Sequence, residues 1–241
     1  MPDSNLVKKK YMVSELIDET PEVLLIRFKP EDGKPIAFDP GMFFMISGLN
    51  AEGKQQVSRA FSIASDPASP EMEYYIVKEH GGHKTHFLTS NPGDPYMMTG
   101  PHGQFKFVPS VDKKVVFIAG GTGLAPFMSM LRHIEKTNAG TDIVLLYSVK
   151  YPTEIIRKQE LFKYSDSLHA RIIVTVTRSK PEDGWTGESK RIDSDMIKKY
   201  AADYADRIFY ICGPLPFVTS MKDAIKALGV NDQNVKADVW G

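Results

Sequence analysis

The sequence has a single cysteine, Cys212, among its 241 residues. One thiol cannot form a disulfide within the chain, and it cannot supply the ligands of a four-cysteine iron–sulfur cluster or zinc site. A chain without disulfides is typical of a reducing compartment. We therefore expect a cytoplasmic protein that builds no iron–sulfur centre from these residues.

Long apolar runs and net charge are lacking as well. Apolar runs such as Val115–Ala119 and Ile143–Tyr147 are far shorter than the ~18 residues of a membrane-spanning helix. Thirty basic residues balance thirty acidic ones, so bulk charge gives no support for binding nucleic acid or a membrane surface. With 42% hydrophobic and 25% charged residues, the composition is that of a globular protein.

The first half of the chain contains short β-prone runs between turn signals. The runs are Val23–Phe28, Phe43–Gly48, Arg59–Ala64 and Met72–Val77, with one helix expected near Lys84–Thr89. Many short strands at close spacing indicate an antiparallel sandwich or barrel.

From about Val115 the pattern changes. Buried runs alternate with helical stretches, which predicts a parallel sheet covered on both faces. The predicted strands are Val115–Ala119, Ile143–Tyr147, Arg171–Thr175 and Arg207–Cys212. One helix is predicted after the first strand, ending near Lys136, and three more are predicted over Thr153–Tyr164, Asp193–Tyr200 and Pro214–Leu228. We place the boundary in the polar stretch Pro109–Lys114 and predict two domains, 1–110 and 111–241.

The most informative local context is a strand followed by glycines and a helix, in Gly120–Pro126. Glycine lets the backbone turn sharply and approach a ligand, and a helix N-terminus offers N–H groups to a phosphate. Thr122 or Gly123 is expected to cap the helix, with Pro126 in its first turn. A tight connection without a ligand is the alternative, and the turn alone does not decide between them.

A second candidate is the run Arg59–Ser65. In a strand, Arg59, Phe61 and Ser65 would share one face. A guanidinium suits a pyrophosphate, and an aromatic side chain can lie against a planar ring. Taken alone, the run is more typical of an ordinary half-exposed strand than of a cofactor site.

Five blocks in this order resemble the ferredoxin–NAD(P) reductase superfamily, and the resemblance covers nearly the whole chain. They are Arg59-x-Phe61-Ser62-x-x-Ser65, Gly81-Gly82-His83-Lys84-Thr85, Gly100-Pro101-His102-Gly103-Gln104-Phe105, Gly120-Gly121-Thr122-Gly123-x-x-Pro126 and Tyr210-Ile211-Cys212-Gly213-Pro214. The resemblance implies a two-domain protein, with an antiparallel Greek-key β-barrel for FAD followed by an α/β Rossmann-like parallel sheet for NAD(P).

For the barrel, the resemblance implies that Arg59 contacts the FAD pyrophosphate, Phe61 packs on the isoalloxazine and Ser62 hydrogen-bonds near flavin N5. The full implied FAD set is Arg59, Phe61, Ser62, Ser65, Gly82, His83, Lys84, Thr85 and Trp240. Many relatives have Tyr at position 61. Phe61 lacks the phenolic hydrogen bond, so FAD is expected to be held more loosely.

For the second domain, the resemblance implies that Gly121, Thr122 and Gly123 cradle the dinucleotide, with Cys212 and Gly213 beside the nicotinamide. Asp238 and Trp240 are similar in type and spacing to a C-terminal acidic residue and an aromatic that covers the flavin. A surface tail with a packed tryptophan is the alternative. The implied catalytic set is Ser62, Cys212, Asp238 and Trp240.

The choice of nucleotide depends on cations after the second and third strands of this domain, where a 2′-phosphate would lie. Lys150, Arg178 and Arg191 occupy such positions, and they favour NADPH slightly over NADH. His80, His83 and His86 are spaced like metal ligands, but they fall where the resemblance puts a phosphate loop. We expect no metal.

The predicted function is a FAD-dependent NAD(P)H oxidoreductase that moves hydride from the nicotinamide to FAD. Because Cys212 stands alone, single electrons are expected to leave for a separate carrier: a ferredoxin, a flavodoxin or an oxygenase component. A free-flavin reductase remains an alternative, as does a non-autonomous electron-transfer subunit or nucleotide-binding regulatory module.

Overall fold

The computed structural model describes residues 6–50, 52–78 and 85–240, and of Thr85 only the backbone. The chain divides into two compact units. The first lies within Met1–Phe107 and takes in Met128–His133, and the second lies within Val108–Phe127 and Ile134–Gly241. The domain boundary inferred from sequence stays a prediction. No helix in the described ranges is long and apolar enough to cross a membrane.

The described residues of the first unit form six antiparallel strands in the order β4-β3-β6-β1-β2-β5. The elements are β1 (Val7–Thr20), β2 (Val23–Pro30), β3 (Phe43–Gly48), β4 (Arg59–Ser62), β5 (Met72–Val77), the short helix α1 (Thr85–Leu88) and β6 (Pro95–His102). Sequence neighbours are therefore not always sheet neighbours, since β6 lies between β1 and β3.

The sheet curls until its two edges meet. Beyond the end of β4, the backbone N–H of Ala64 donates to the carbonyl of Glu73 in β5 at 2.8 Å. The side chains that point inward form one apolar core, in which Phe28 makes edge-on contacts with Tyr74 at 5.9 Å and Tyr96 at 5.0 Å. The predicted antiparallel barrel is confirmed.

In the described part of the second unit, five parallel strands are ordered β11-β10-β7-β8-β9. The elements are β7 (Lys114–Gly120), α2 (Ala125–Thr137), β8 (Asp142–Val149), α3 (Lys158–Ser167), β9 (Arg171–Val176), α4 (Ser194–Tyr200), β10 (Ile208–Pro214), α5 (Leu215–Ala227) and β11 (Val235–Trp240). Residues 128–133 of α2 belong to the first unit.

Apolar side chains cover both faces of this sheet. Val116 and Ile118 share a core with residues of α4 and α5, while Phe117, which points to the opposite face, stacks on Phe127 at 4.9 Å. Burial on both sides explains why the strands are continuous apolar runs in the sequence. The predicted Rossmann-like parallel sheet is confirmed.

Some elements differ from the sequence-based expectation. β4 ends at Ser62 and not at Ala64, since the next residues turn inward and Ile63 is fully buried. The helix expected over Thr153–Tyr164 begins only at Lys158, because Arg157 before it has the left-handed φ of 49°. β6 and β11 are strands that the run pattern does not predict, whereas the start of β1 agrees with the solvated strand start expected at Lys8–Lys10.

Candidate functional site

The glycine turn follows the central strand of the parallel sheet. Chain order reverses beside β7, because β8 lies on one side of it and β10 on the other. Ligands of open α/β sheets bind at the carboxyl ends of strands at such a reversal. Gly121–Leu124, directly after β7, forms a turn of 3₁₀ helix that leads into α2.

The expectation that Thr122 or Gly123 caps the helix is wrong. The 3₁₀ turn displaces the start of α2, so that Leu124 stands at its N-cap, and no described side chain caps either segment. The first N–H groups of a helix need partners from outside it. The N–H of Ala125, the first residue of α2, donates to the carbonyl of Thr122, so it is the start of the 3₁₀ turn at Gly121, without a side-chain cap, that can offer N–H groups to a phosphate.

Gly123 lies directly against the end of β10. A Cβ at this position would lie 2.3 Å from the carbonyl oxygen of Cys212 and 2.9 Å from the backbone nitrogen of Gly213. Only a residue without a side chain permits so close an approach. The turn residues Gly121 to Gly123 are thereby brought together with Cys212 and Gly213, as the resemblance implied for the nicotinamide side.

The C-terminal strand places two further predicted residues beside β10. Cys212 is paired in register with Asp238, and Pro214 with Trp240. The Cys212 thiol lies 4.0 Å from Oδ2 of Asp238. Full burial raises the pKa of the Cys212 thiol well above its usual value, and the Asp238 carboxylate raises it further. The thiol is therefore neutral at physiological pH, while Trp240 remains 36% exposed.

The predicted cations lie at the ends of β8 and β9. The backbone N–H of Arg178 donates to the carbonyl of Lys150 at 2.8 Å, which brings the two residues side by side. Thr175 in β9 donates its hydroxyl to the carbonyl of Lys190, so the loop that carries Lys190 and Arg191 passes beside β9. All three cations are exposed, and none has an ion-pair partner among the described residues.

In the first unit, β4 presents Arg59, Phe61 and Ser62 at the edge of the sheet. The Phe61 ring packs edge-on against Phe87 of α1 at 5.1 Å and is half-buried. Nε of Arg59 is buried without a hydrogen-bond partner in the described structure. A buried guanidinium nitrogen without a partner is costly, so a bound acceptor would satisfy it. These residues fit a phosphate-bearing ligand with a planar ring.

Ser65 has a role in the fold itself. Its buried hydroxyl accepts a hydrogen bond from the backbone N–H of Glu73 at 3.2 Å. Its predicted contact with FAD stays a prediction. Gly82, His83 and Lys84, together with His80, lie outside the described residues, and of Thr85 only the backbone at the start of α1 is described.

Comparisons with known proteins agree with this arrangement. Residues 117–223 match the model of the oxidoreductase NAD-binding domain. The glycine betaine monooxygenase reductase subunit of Pseudomonas aeruginosa is 27% identical over 231 residues, which cover 94% of this chain and 63% of the relative. NADH-cytochrome b5 reductase 1 of Aspergillus clavatus is 29% identical, with 92% of this chain and 74% of the relative covered.

Among solved structures, a ferredoxin NADP+ reductase from Neisseria gonorrhoeae with bound FAD and NADP matches with a TM-score of 0.78 at 20% identity, covering 98% of this chain and 99% of that one. These matches make the chain similar, over nearly its whole length, to ferredoxin reductase-like oxidoreductases that bind FAD and NAD(P), which is consistent with the ferredoxin–NAD(P) reductase superfamily. It spans 63% of the length of the glycine betaine relative.

Two residues near the end of β4 carry no sequence signal. Glu73 in β5 and Arg132 in α2 form a 2.9 Å ion pair beside the end of β4. The pair joins positions 59 residues apart. Neither residue belongs to a motif, and each resembles the many surface charges of the chain, so no local signal indicates the contact.

Proposed function

We propose that this chain is a FAD-dependent NAD(P)H oxidoreductase that passes electrons to a separate acceptor. The observation that carries the proposal is the glycine turn, which packs against Cys212 where strand order reverses and leads into a helix that no described side chain caps. This arrangement directs backbone N–H groups at the phosphates of a dinucleotide.

Three residues of β4 are proposed to hold FAD. The unsatisfied Nε–H of Arg59 suits a pyrophosphate oxygen. The half-buried ring of Phe61, fixed by Phe87, offers an apolar surface to a planar ring. Ser62 adds a hydroxyl at the end of the same strand. When bound, FAD supplies the hydride-accepting and one-electron chemistry.

The neutral, buried thiol of Cys212 argues against a nucleophilic role, since the thiolate is the reactive form. We assign it to shaping the nicotinamide pocket beside Gly213. Asp238 lies beside it in register, and Trp240 ends the same strand with part of its ring exposed. An exposed ring at a strand end can move aside when a nucleotide binds.

The proposed acceptor is a redox centre outside these 241 residues, because Cys212 alone cannot ligate an iron–sulfur cluster. Relatives named as reductase subunits of monooxygenases support an oxygenase component as this partner. A ferredoxin or flavodoxin is the other candidate carrier.

NADPH is the proposed nucleotide. The exposed cations Lys150, Arg178 and Arg191 lie at the ends of the strands that would face a 2′-phosphate, with no described carboxylate neutralising them. Lys180 on the same loop is different, because it pairs with Glu182 at 3.9 Å. It therefore provides a matched control.

The test is stopped-flow reduction of the FAD-loaded protein by NADPH and by NADH. NADPH should bleach the flavin absorbance. Arg178→Ala should raise the Kd for NADPH about tenfold, with NADH unchanged, because a charge-assisted hydrogen bond is lost. Lys180→Ala should match the parent. Absence of bleaching with both nucleotides would refute the reductase function, and equal effects of Arg178→Ala on both nucleotides would refute the NADPH assignment.

A free-flavin reductase is the second candidate, and Phe61 favours it because phenylalanine cannot donate a phenolic hydrogen bond to a cofactor. Desalting the FAD-loaded protein separates the two. Retention of the yellow colour supports a bound cofactor, and its loss with continued turnover of added flavin supports the alternative.

A further inference from the structure

Glu73 is the centre of a buried cluster in the first unit. Its side chain is 4% exposed. Arg27 donates to Oε2 from Nε at 3.0 Å and from Nη2 at 2.9 Å, while Arg132 and Tyr75 donate to Oε1 at 2.9 and 3.1 Å. The four contacts satisfy both carboxylate oxygens, so Glu73 is a fixed point in the barrel.

Hydrogen bonds join this cluster to the backbone that follows β4. The carbonyl of Ala64 accepts a 2.9 Å hydrogen bond from the same Arg132 nitrogen that binds Glu73. One residue further on, the carbonyl of Ser65 accepts a 2.7 Å hydrogen bond from the hydroxyl of Ser129. Both donors come from residues 128–133 of α2, which belong to the first unit together with β4 and β5.

β4 itself is short, and the backbone beyond its end is tied to Glu73 of β5: Ala64 N–H donates to the Glu73 carbonyl at 2.8 Å, and the Ser65 hydroxyl accepts from Glu73 N–H at 3.2 Å. β4 is four residues long and lies at the edge of the sheet, where it pairs with β3 on one side only. An edge strand of this length makes few ladder hydrogen bonds, so the residues beyond its end determine where its side chains lie. Those residues are Ala64 and Ser65, which the backbone of Glu73 and the α2 donors hold together.

We infer that Arg132 is a positioning residue for the flavin site: through Glu73 and the Ala64 carbonyl it fixes the end of the strand that presents Arg59, Phe61 and Ser62. The inference rests on the proposed function, because it assumes that these three side chains hold FAD. Arg132 acts on the cofactor only through the backbone of β4.

The experiment compares Arg132→Met with the parent, after removal and re-addition of FAD. Methionine keeps the helix propensity and most of the length of the side chain. FAD affinity should fall about tenfold, which corresponds to about 1.4 kcal/mol, because the strand is no longer held in the binding position. The visible circular dichroism of the bound flavin should change, since it reports the surroundings of the ring.

Arg132→Lys should bind FAD within about threefold of the parent, because one charged nitrogen can still reach both acceptors. Lys163→Gln provides a matched control: it removes the 3.0 Å ion pair to Glu135, which also lies on α2 but in the second unit. It should leave FAD affinity and circular dichroism unchanged. Urea unfolding of each apoprotein shows whether a loss of affinity exceeds any loss of stability.

An Arg132→Met variant with parental FAD affinity and circular dichroism but a lower unfolding midpoint would overturn the inference, and Arg132 would then only stabilise the barrel. If this variant does not fold, Arg132→Gln, which removes the charge but keeps a polar side chain, takes its place, and parental FAD affinity and circular dichroism there would overturn the inference equally. A parent protein that binds no FAD would contradict the proposed function itself.

Discussion

The charged residues at the two ends of the parallel sheet differ in burial and in pairing. At the amino ends, Arg207 is 1% exposed and bonds to Asp203 at 2.6 Å and to Asp142 at 2.6 Å. At the carboxyl ends, Lys150 and Arg178 are exposed, with no ion-pair partner in the described part of the chain. The charges at the amino ends therefore pair with one another within the protein, whereas the cations at the carboxyl ends are available to a ligand.

The difference extends to the backbone. At the amino ends, Arg207 also donates to the carbonyls of Val115 and Asp142 at 3.3 Å each. At the carboxyl ends, the turn beginning at Gly121 leaves N–H groups without a described side-chain cap. Satisfied groups stabilise a fold, whereas unsatisfied donors at a strand reversal are what a ligand site requires. We therefore expect mutations at the two ends to affect different measurements.

The largest effect on stability is expected from Arg207→Met. The change leaves two carboxylates and two carbonyls without their buried donor. The free energy of unfolding should fall by about 3 kcal/mol, the lower end for breaking a buried pair, because both aspartates are partly exposed. Urea denaturation measures the loss.

Nucleotide affinity of the folded Arg207→Met protein should equal that of the parent. Arg171→Met is a suitable control, because Arg171 also pairs with Asp142, at 2.9 Å, but is itself 46% exposed. Arg171→Met should lower the free energy of unfolding by well under 1 kcal/mol. A comparable loss in both variants would contradict the distinction between buried and exposed charges.

The second effect concerns the carboxyl ends. Gly123→Ala would place a Cβ 2.3 Å from a backbone oxygen, which cannot swing aside as a side chain can. A forced shift of this kind costs about 2 kcal/mol. Because the shift displaces the turn, affinity for NADPH should fall by at least about tenfold. Isothermal titration calorimetry measures the affinity.

Gly121→Ala separates sterics from backbone conformation in the same turn. Nothing lies within 4 Å of its Cβ position, but its φ is 56°. The left-handed conformation alone costs roughly 1 kcal/mol. If Gly121→Ala disturbed nucleotide binding more than Gly123→Ala, close packing against β10 would not be the reason for the glycine at position 123.

Sequence reasoning predicted the apolar strands well and the polar ones poorly. β7 and β8 are buried on both faces, so their apolar runs are visible in the sequence. β1 is different, because its outward side chains are charged and only Tyr11, Val13 and Thr20 are buried along its 14 residues. β11 likewise has no buried residue in its pattern. Their pairing partners define them as strands.

For the candidate site, the motif residues could be proposed from the sequence because glycines and ordered blocks leave a local signal. Contacts between residues far apart in the sequence leave no such local signal. Arg207 and Asp142 are 65 residues apart, and Glu73 and Arg132 are 59 apart. The wrong helix cap near Thr122 has a similar origin, since the 3₁₀ turn that displaces the start of α2 arises from packing of the turn against β10.

The smallest expected effect, and the one that isolates charge from packing, is the pH dependence of Asp203. The hydrogen bond from Arg207 lowers the pKa of Asp203 to about 2, with Lys114 contributing in the same direction against the effect of burial. The usual unfolded-state value is about 3.9. A carboxyl whose pKa is lower in the folded state stabilises the protein above the unfolded pKa, and this contribution is lost as pH falls toward 2.

Asp203→Asn should therefore reduce the free energy of unfolding at pH 6 by about 1 kcal/mol, allowing for solvent screening of a side chain that is 34% exposed. The difference from the parent should shrink below about pH 4 and vanish near pH 2, as measured by urea titrations at each pH. Asp166→Asn, at an exposed position on α3, should show no such trend. A constant difference across this range would mean that the aspartate contributes by shape and hydrogen bonding, and that the amino ends of the sheet do not depend on its charge.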